Sequence, residues 1–256
     1  GVLTGKGIAW GGSLARTEAT GYGLIYFVTR MLKSRQVDWD GLRVVVSGSG
    51  NVAIYAAQKA IDMGANVIAM SDSCGYIYDP DGIKVNTVRV IKEGERGRIR
   101  EYIDNHPSAE YHDGCQGVWT IPCDVALPCA TQNEIDAAAA QTLVRNGCFA
   151  VGEGANMPST NEAISVFRDA GIAFGPAKAA NAGGVATSAL EMAQNSMRTA
   201  WTFEEVDRKL MGIMDDIYDQ CIEAAEAYGR PGDLIDGANA ASFIKVARAM
   251  IDQGLV

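Results

Sequence analysis

A glycine-rich turn between a β-branched strand and a helix is the feature that most limits how this chain can fold. Residues 42–47 (LRVVVS) are mostly apolar and β-branched, which is typical of a strand buried on both faces. Residues 51–63 have a helical pattern that ends near Gly64, and residues 66–71 predict a second strand. A strand, a helix and a strand within about 30 residues form a βαβ unit, which requires a parallel sheet with a right-handed crossover.

The turn itself, residues 48–53, has the form G-x-G-x-x-A. Gly48 permits the tight turn, Gly50 lets the backbone approach a pyrophosphate, and Ala53 allows the helix to pack closely on the strand. The first amides of the helix and the positive end of its dipole then favour phosphate groups. This context predicts a dinucleotide-binding site. The alternative is a tight strand-to-helix turn without a ligand.

The end of the second strand bears on the choice between NAD and NADP. Asp72 follows this strand about 20 residues after the glycine turn, where an acid commonly holds the adenosine ribose 2′-hydroxyl of NAD. The hydroxyls of Ser71 and Ser73 flank it and are suited to a 2′-phosphate instead. Lys84 and Arg89 are the nearest cations downstream in the sequence. A third interpretation makes Asp72 a turn-capping carboxylate.

Strands and helices continue to alternate along the next hundred residues. Residues 75–82 predict a hairpin or turn and residues 84–100 a helix, whereas residues 104–120 have no clear pattern. Thr17 is the predicted N-cap of the first helix, and Asp136 is predicted to be a first-turn acid. The remaining predicted elements are strands at 124–127, 148–151 and 172–174, and helices at 18–33, 134–145 and 161–169.

Beyond residue 183 only helices are predicted, at 184–198, 203–228 and 238–253. The predicted fold is therefore α/β: a Rossmann-like, doubly wound, mostly parallel sheet with a helical C-terminal extension. We expect residues 1–183 to form the NAD(P)-binding domain and residues 184–256 to pack on it. The opening GVLTGKG is typical of a loop inside a protein, so we expect a domain of a longer chain.

Small polar clusters follow three of the later predicted strands, at residues 128–133, 152–158 and 175–184. The carboxyl ends of parallel strands meet at one edge of the sheet, where ligands bind. Three such clusters on the edge that holds the glycine turn predict a bed for an extended ligand. Asn156 and Asn181 carry amides suited to a carboxamide or a ribose, although asparagine also forms turns.

Composition excludes several classes of partner. The net charge of −9 and the pI near 4.8 argue against nucleic acid and against an anionic membrane surface. The six cysteines form no CxxC pair and indicate reduced thiols and a cytoplasmic protein. With only two histidines, His106 and His112, we expect no metal site. Lys178 is more readily interpreted as a solvated side chain than as a general base.

Five segments together resemble the coenzyme-binding half of the bacterial hexameric glutamate dehydrogenases, within the Glu/Leu/Phe/Val dehydrogenase family. They are residues 11–23, 47–53, 127–133, 153–158 and 181–188. The resemblance covers essentially the whole chain. It implies a Rossmann-like fold, NADP with NAD as the alternative, and a homo-hexameric enzyme that interconverts L-glutamate and 2-oxoglutarate. Residues 71–75 (SDSCG) resemble the NADP-using members, and Thr17 stands where the family usually has proline.

The resemblance also implies roles for particular residues. The family's catalytic lysine and aspartate belong to an N-terminal substrate domain that this chain lacks, so no catalytic residue is expected here. Val185 and Ser188 would line the substrate pocket, with Ser188 reaching the glutamate side-chain carboxylate. The residues implied in coenzyme binding are Arg16, Thr20, Ser47, Gly48, Ser49, Gly50, Asn51, Val52, Asp72, Ser73, Cys129, Ala130, Thr131, Asn156 and Asn181.

Three alternatives stay open at this stage. The chain could be a nucleotide-sensing module without chemistry, for which the substrate residues would be unnecessary. It could belong to a related branched-chain or aromatic amino-acid dehydrogenase. A purely structural assembly unit would leave the glycine turn unexplained.

Overall fold

The structure, a computed structural model, describes residues 1–254 and contains one seven-stranded sheet. Its strands are β1 Arg43–Val46, β2 Asn66–Ser71, β3 Gly75–Tyr78, β4 Glu110–Asp113, β5 Val125–Leu127, β6 Ala150–Gly152 and β7 Ala173–Gly175. They lie in the order β4-β3-β2-β1-β5-β6-β7. The five strands from β2 to β7 in this order are parallel, and β3 and β4 add an antiparallel edge. The predicted Rossmann-like, mostly parallel sheet is confirmed.

Helices cover both faces of this sheet. They are α1 Ala19–Ser34, α2 Asn51–Asp62, α3 Val85–Arg89, α4 Tyr102–Asn105, α5 Ala137–Arg145, α6 Asn161–Asp169, α7 Ala177–Ala180, α8 Gly183–Met197, α9 Phe203–Ala227 and α10 Leu234–Gln253. Successive side chains of β1 point to opposite faces. Val44 and Val46 join the cluster of α1 and α2, whereas Val45 packs with Leu143 of α5 and Phe167 of α6. All three valines are fully buried, as the apolar run predicts.

Helices α8 and α9 pack on α1, and α10 packs on α9. Leu210 and Met214 of α9 belong to the same buried cluster as Val44 of β1. Phe27 of α1 meets Tyr218 of α9 edge to face, with ring centroids 5.5 Å apart. Within residues 1–254, no helix combines the length and the apolar character needed to cross a membrane.

The region between β2 and β5 departs most from the prediction. A continuous helix over 84–100 is wrong: α3 passes into a π-helical turn at Val90–Gly94, and a separate 3₁₀ turn follows at Ile99–Glu101. Gly94 and Gly97 permit the break because glycine has the least helical preference after proline. The predicted turn at 75–82 contains β3, and the unassigned stretch 104–120 contains β4. Strand β3 pairs with both β2 and β4 and is mostly buried, whereas β4 lies at the edge of the sheet and has a polar, mostly exposed sequence.

Several predicted helix starts also shift. Thr17 does not cap α1, whose N-cap is Glu18 without a side-chain hydrogen bond among the described residues. Asp136 is the N-cap of α5 rather than a first-turn acid, and it accepts from the amide of Ala139 at 2.8 Å. The last helix begins at Leu234, four residues early, because Asp233 caps it. A cap is a local signal that apolar periodicity alone does not reveal.

Candidate dinucleotide and substrate groove

The candidate site lies where the chain order of the sheet reverses, between β1 and β5. The chain passes from β1 to β2 on one side, whereas β5 lies on the other side. Two serines tie the loops at this edge together. Ser47 Oγ accepts from the amides of Cys129 at 2.9 Å and Ala130 at 3.2 Å, and Ser71 Oγ accepts from Gly48 N at 2.9 Å. Both serines are buried, and the Ser71 hydroxyl is engaged by the glycine turn.

The glycine turn has the backbone that phosphate binding requires. Gly48 has φ +87°, and a Cβ there would lie 3.1 Å from Ala130 Cα. At Gly50, by contrast, no heavy atom of the described residues comes within 4 Å of the Cβ position. The first turn of α2 has no side-chain cap within residues 1–254, and Ala53 is buried against the sheet. Uncapped amides beside open space fit a pyrophosphate.

Two cavities along this edge form one continuous groove. The first, of about 680 Å³, contains the glycine turn, Asp72 and Ser73. The second, of about 770 Å³, contains Arg16, Thr20, Asn156, Asn181, Val185 and Ser188. They share Val52, Cys129, Ala130 and Thr131. Every residue predicted for the site lines this groove except Ser47, which lies beneath it. The sharing of four residues suits a ligand long enough to occupy both cavities.

Asp72 is fully engaged by the protein. Its Oδ1 accepts from Cys74 N at 2.9 Å and Gly75 N at 3.3 Å, and its Oδ2 accepts from Ile99 N at 3.0 Å and lies 3.6 Å from Lys92 Nζ. Burial opposes ionisation, but the amides and Lys92 outweigh it and lower the pKa of Asp72 below its ordinary value. Both carboxylate oxygens of Asp72 therefore bind groups of the protein itself, as the turn-capping interpretation of Asp72 requires.

Two cations lie beside Ser73 that the sequence did not indicate. Arg98 donates to Ser73 Oγ at 3.0 Å, and both Lys92 and Arg98 line the first cavity. The cations nearest in sequence lie elsewhere: Lys84 Nζ donates to Asp81 O, and Arg89 donates to the side chain of Asn86. The break in the helix after α3 returns the chain to the sheet edge, so a prediction of continuous helix concealed Lys92 and Arg98. A cluster of two cations and a serine hydroxyl is suited to a phosphate monoester.

We expect Asp72→Asn to lower the free energy of unfolding by about 1–3 kcal/mol, because an amide cannot accept from all the donors that face the carboxylate. Folding lowers the pKa of Asp72, so its contribution is present above the unfolded pKa and is lost as the pH falls through the folded value. Urea unfolding at several pH values measures this. The difference from the unsubstituted chain should shrink toward acidic pH, and exposed Asp104→Asn should show no such difference at any pH.

The second cavity, at the end of the groove away from Asp72, contains the predicted polar side chains. Asn181 Nδ2 donates to Asn156 Oδ1 at 2.9 Å, so the two amides form one unit. Arg16 Nε donates to Ser188 Oγ at 3.2 Å across the cavity. Lys178 is exposed at the rim and its ammonium contacts the side chain of Asn239. This end can therefore orient a carboxamide and bind a carboxylate.

Two buried glutamates hold the loops of the groove and were missed by the sequence reasoning. Glu134 Oε1 accepts from Ala130 N at 3.0 Å and Thr131 N at 3.2 Å. Glu153 accepts from Ser159 N at 3.2 Å and Ala177 N at 2.8 Å. Burial raises the pKa of both carboxyls above the ordinary value, although these hydrogen bonds oppose the shift. The sequence signal that could have identified these two glutamates is an acidic residue within a few residues of the end of a buried strand.

Comparison with known proteins then decides the family. A sequence model of the glutamate/leucine/phenylalanine/valine dehydrogenases matches residues 11–254. This chain belongs to that family. The groove of this chain is lined by residues of the segments that carry the resemblance to this family.

Several relatives and solved structures of this dehydrogenase family are similar over the whole chain. A glutamate dehydrogenase of Bacteroides thetaiotaomicron is 52% identical over 263 residues, covering 100% of this chain and 58% of that protein. An NADP-specific glutamate dehydrogenase of Escherichia coli is 51% identical, covering 100% and 57%. The structure of Plasmodium falciparum glutamate dehydrogenase has a TM-score of 0.96 at 48% identity, covering 99% of this chain and 55% of that one. The chain thus spans less than two thirds of the relatives that it matches.

Proposed function

We propose that this chain is the coenzyme-binding half of an NADP-dependent glutamate dehydrogenase. The intact enzyme interconverts L-glutamate, NADP⁺ and water with 2-oxoglutarate, ammonia and NADPH. The observation that carries the choice of coenzyme is that Asp72 is engaged by the protein, whereas Ser73, Lys92 and Arg98 line the first cavity beside it. NADPH, when bound, supplies the hydride.

The first cavity would hold the adenosine and phosphate parts of the coenzyme. The amides of Asn51 and Val52 at the start of α2 would bind the pyrophosphate, next to the open space at Gly50. Ser73, Lys92 and Arg98 would bind the 2′-phosphate. Names of relatives support this assignment, since several are NADP-specific glutamate dehydrogenases.

The second cavity would orient the nicotinamide and the substrate. The amides of Asn156 and Asn181 suit the carboxamide. Arg16 and Ser188 offer a charge-assisted and a neutral donor to a side-chain carboxylate, which favours a glutamate substrate over a branched-chain or aromatic one. Val185, which is 71% exposed, would contact the substrate once a second domain closes on it.

The remainder of the enzyme would supply what this chain lacks. We place the catalytic lysine and aspartate on an N-terminal substrate domain, with residues 184–256 supporting the coenzyme domain. A hetero-hexameric glutamate dehydrogenase of Thermus thermophilus has a TM-score of 0.89 at 28% identity, which supports a hexameric assembly here. Six free cysteines support a reducing, cytoplasmic setting.

The experiment that tests the proposal is a titration with NADPH and NADH, followed by tryptophan fluorescence. Trp119 lines the first cavity and provides the reporter. Saturable binding that favours NADPH is expected. A preference for NADH would contradict the assignment of the 2′-phosphate. If the intact protein binds NADPH but does not turn over 2-oxoglutarate with ammonia, the chain is a sensing module rather than part of this enzyme.

Arg98→Ala should discriminate between the two coenzymes. A hydrogen bond to a charged group contributes about 1.5–3 kcal/mol, so we expect the Kd for NADPH to rise about 10- to 100-fold. NADH lacks the 2′-phosphate, and its Kd should change less than about twofold by the same reasoning. The control is Arg100→Ala, which removes an exposed arginine two residues away. An equal loss for NADPH and NADH would show that Arg98 does not bind a 2′-phosphate.

A further inference from the structure

One face of α8 carries a row of polar side chains that contacts the segment before α1. Ser188, Glu191 and Asn195 are spaced three and four residues apart, so they lie on the same side of the helix. Ser188 Oγ accepts from Arg16 Nε, and Asn195 Nδ2 donates to Gly11 O at 2.8 Å. Segments 172 residues apart in the chain are thus joined along this face.

Glu191 lies between these two contacts and is fully buried. Its carboxylate accepts from Gly5 N at 2.8 Å, Lys6 N at 3.3 Å and Lys6 Nζ at 2.6 Å. Burial alone would raise the pKa of Glu191, but Lys6 and these amides lower it, so the group is ionised at neutral pH. A buried carboxylate is costly without its partners, which holds the segment in one position.

The segment that Glu191 holds is tightly folded. A Cβ on Gly12 would lie 1.9 Å from Lys6 O, so the chain passes directly over itself. Gln194 Nε2 donates to Gly12 O at 3.1 Å and fixes the same point from α8. A shift of Lys6 therefore displaces Gly12.

The backbone between Gly12 and the groove has little conformational freedom. Ser13 and Ala15 are buried, and Ala15 has φ +58°, a left-handed conformation that alanine seldom adopts. The next residue is Arg16, whose guanidinium contacts Ser188. The position of Arg16 thus depends on the contacts that hold residues 5–12.

We propose that Glu191 is a positioning residue for the substrate: by holding Lys6 and the folded segment after it, Glu191 sets the Arg16–Ser188 pair that binds the side-chain carboxylate. This inference rests on the proposed function. Glu191 itself contacts neither substrate nor coenzyme. Its effect falls on the second cavity, whereas the adenosine and phosphate parts of the coenzyme would lie in the first, whose lining includes the glycine turn and the ends of β2 and β5.

The test is Glu191→Gln in the full-length protein, with steady-state kinetics and NADPH titration. Glutamine keeps the shape but cannot hold Lys6 as an ion pair. We expect the KM for 2-oxoglutarate to rise roughly tenfold or more and the Kd for NADPH to stay within about twofold, because only one end of the groove is disturbed. The matched control, Glu226→Gln, makes the same change at an exposed site of α9. Glu191→Asp should restore part of the affinity because it keeps the charge.

A purely stabilising role predicts a different result: a lower melting temperature with an unchanged KM in the folded fraction, and this outcome would overturn the proposal. Equal weakening of 2-oxoglutarate and NADPH would overturn it as well. Lys6→Gln provides a second variant if Glu191→Gln does not fold, because the Lys6 side chain reaches the surface and the amides of Gly5 and Lys6 still donate to Glu191. It should raise the KM for 2-oxoglutarate several-fold. An unsubstituted protein without glutamate dehydrogenase activity would instead reject the proposed function.

Discussion

Gly50→Asp is expected to abolish binding of NADPH and NADH while leaving the chain folded. The Cβ of residue 50 enters open space, and the backbone there is extended with φ −89°, so aspartate fits without strain. Aspartate is also a good N-cap, and α2 has no side-chain cap among the described residues. The new carboxylate would occupy the amides that bind the pyrophosphate and repel its charge.

The size of this effect follows from electrostatics. Two unit charges 4 Å apart near a protein surface repel by about 4 kcal/mol, which corresponds to roughly a 1000-fold rise in Kd. Isothermal titration calorimetry measures the coenzyme affinity, and thermal unfolding shows whether the chain stays folded. Gly50→Ser is the control, because serine caps the helix without a charge and should weaken binding far less. Unchanged coenzyme affinity in Gly50→Asp would reject the glycine turn as the pyrophosphate site.

Gly183→Ala is expected to lower the free energy of unfolding by about 3 kcal/mol. Helix α8 crosses α1 at this residue, and a Cβ would lie 2.0 Å from Ala19 O and 3.1 Å from Gly23 Cα. Because the nearest atoms are backbone, the helices must separate, and overpacking of this kind costs about 1–3 kcal/mol or more. Denaturant unfolding measures the change.

Gly212→Ala supplies the matched control for this substitution. Gly212 lies inside α9 on its exposed side, and nothing within residues 1–254 approaches its Cβ position within 4 Å. Alanine should there stabilise the chain by about 0.5–1 kcal/mol, because it has the greater helical preference. A similar effect of the two substitutions would mean that the α1–α8 crossing tolerates a methyl group.

Much of the fold was predictable because its signals are local. The run before the glycine turn predicts β1 and its burial, and the six residues 48–53 contain the turn, the helix start and the close contact at Ala53. The edge strands β3 and β4 were not predictable in this way. Strand β4 is mostly exposed and polar, and the buried strand β3 spans only four residues, so neither has the longer apolar run that marks a core strand in the sequence.

The position of the candidate groove was also predictable, for a topological reason. Parallel strands end on one edge, so polar clusters that follow β1, β5, β6 and β7 must approach one another. Asn156 and Asn181, 25 residues apart, meet at 2.9 Å for this reason. The spacing of elements along the chain thus indicated where a ligand lies without indicating which side chains face it.

The sequence by itself determined the βαβ unit, the parallel core and the edge that binds a ligand, because each depends on the order and periodicity of neighbouring residues. Only the tertiary structure decided that Asp72 caps a loop, that Lys92 and Arg98 flank Ser73, and that Glu191 holds Lys6. Those contacts join segments whose separation is set by irregular turns, and the path of an irregular turn depends on the whole packed chain rather than on its local residues.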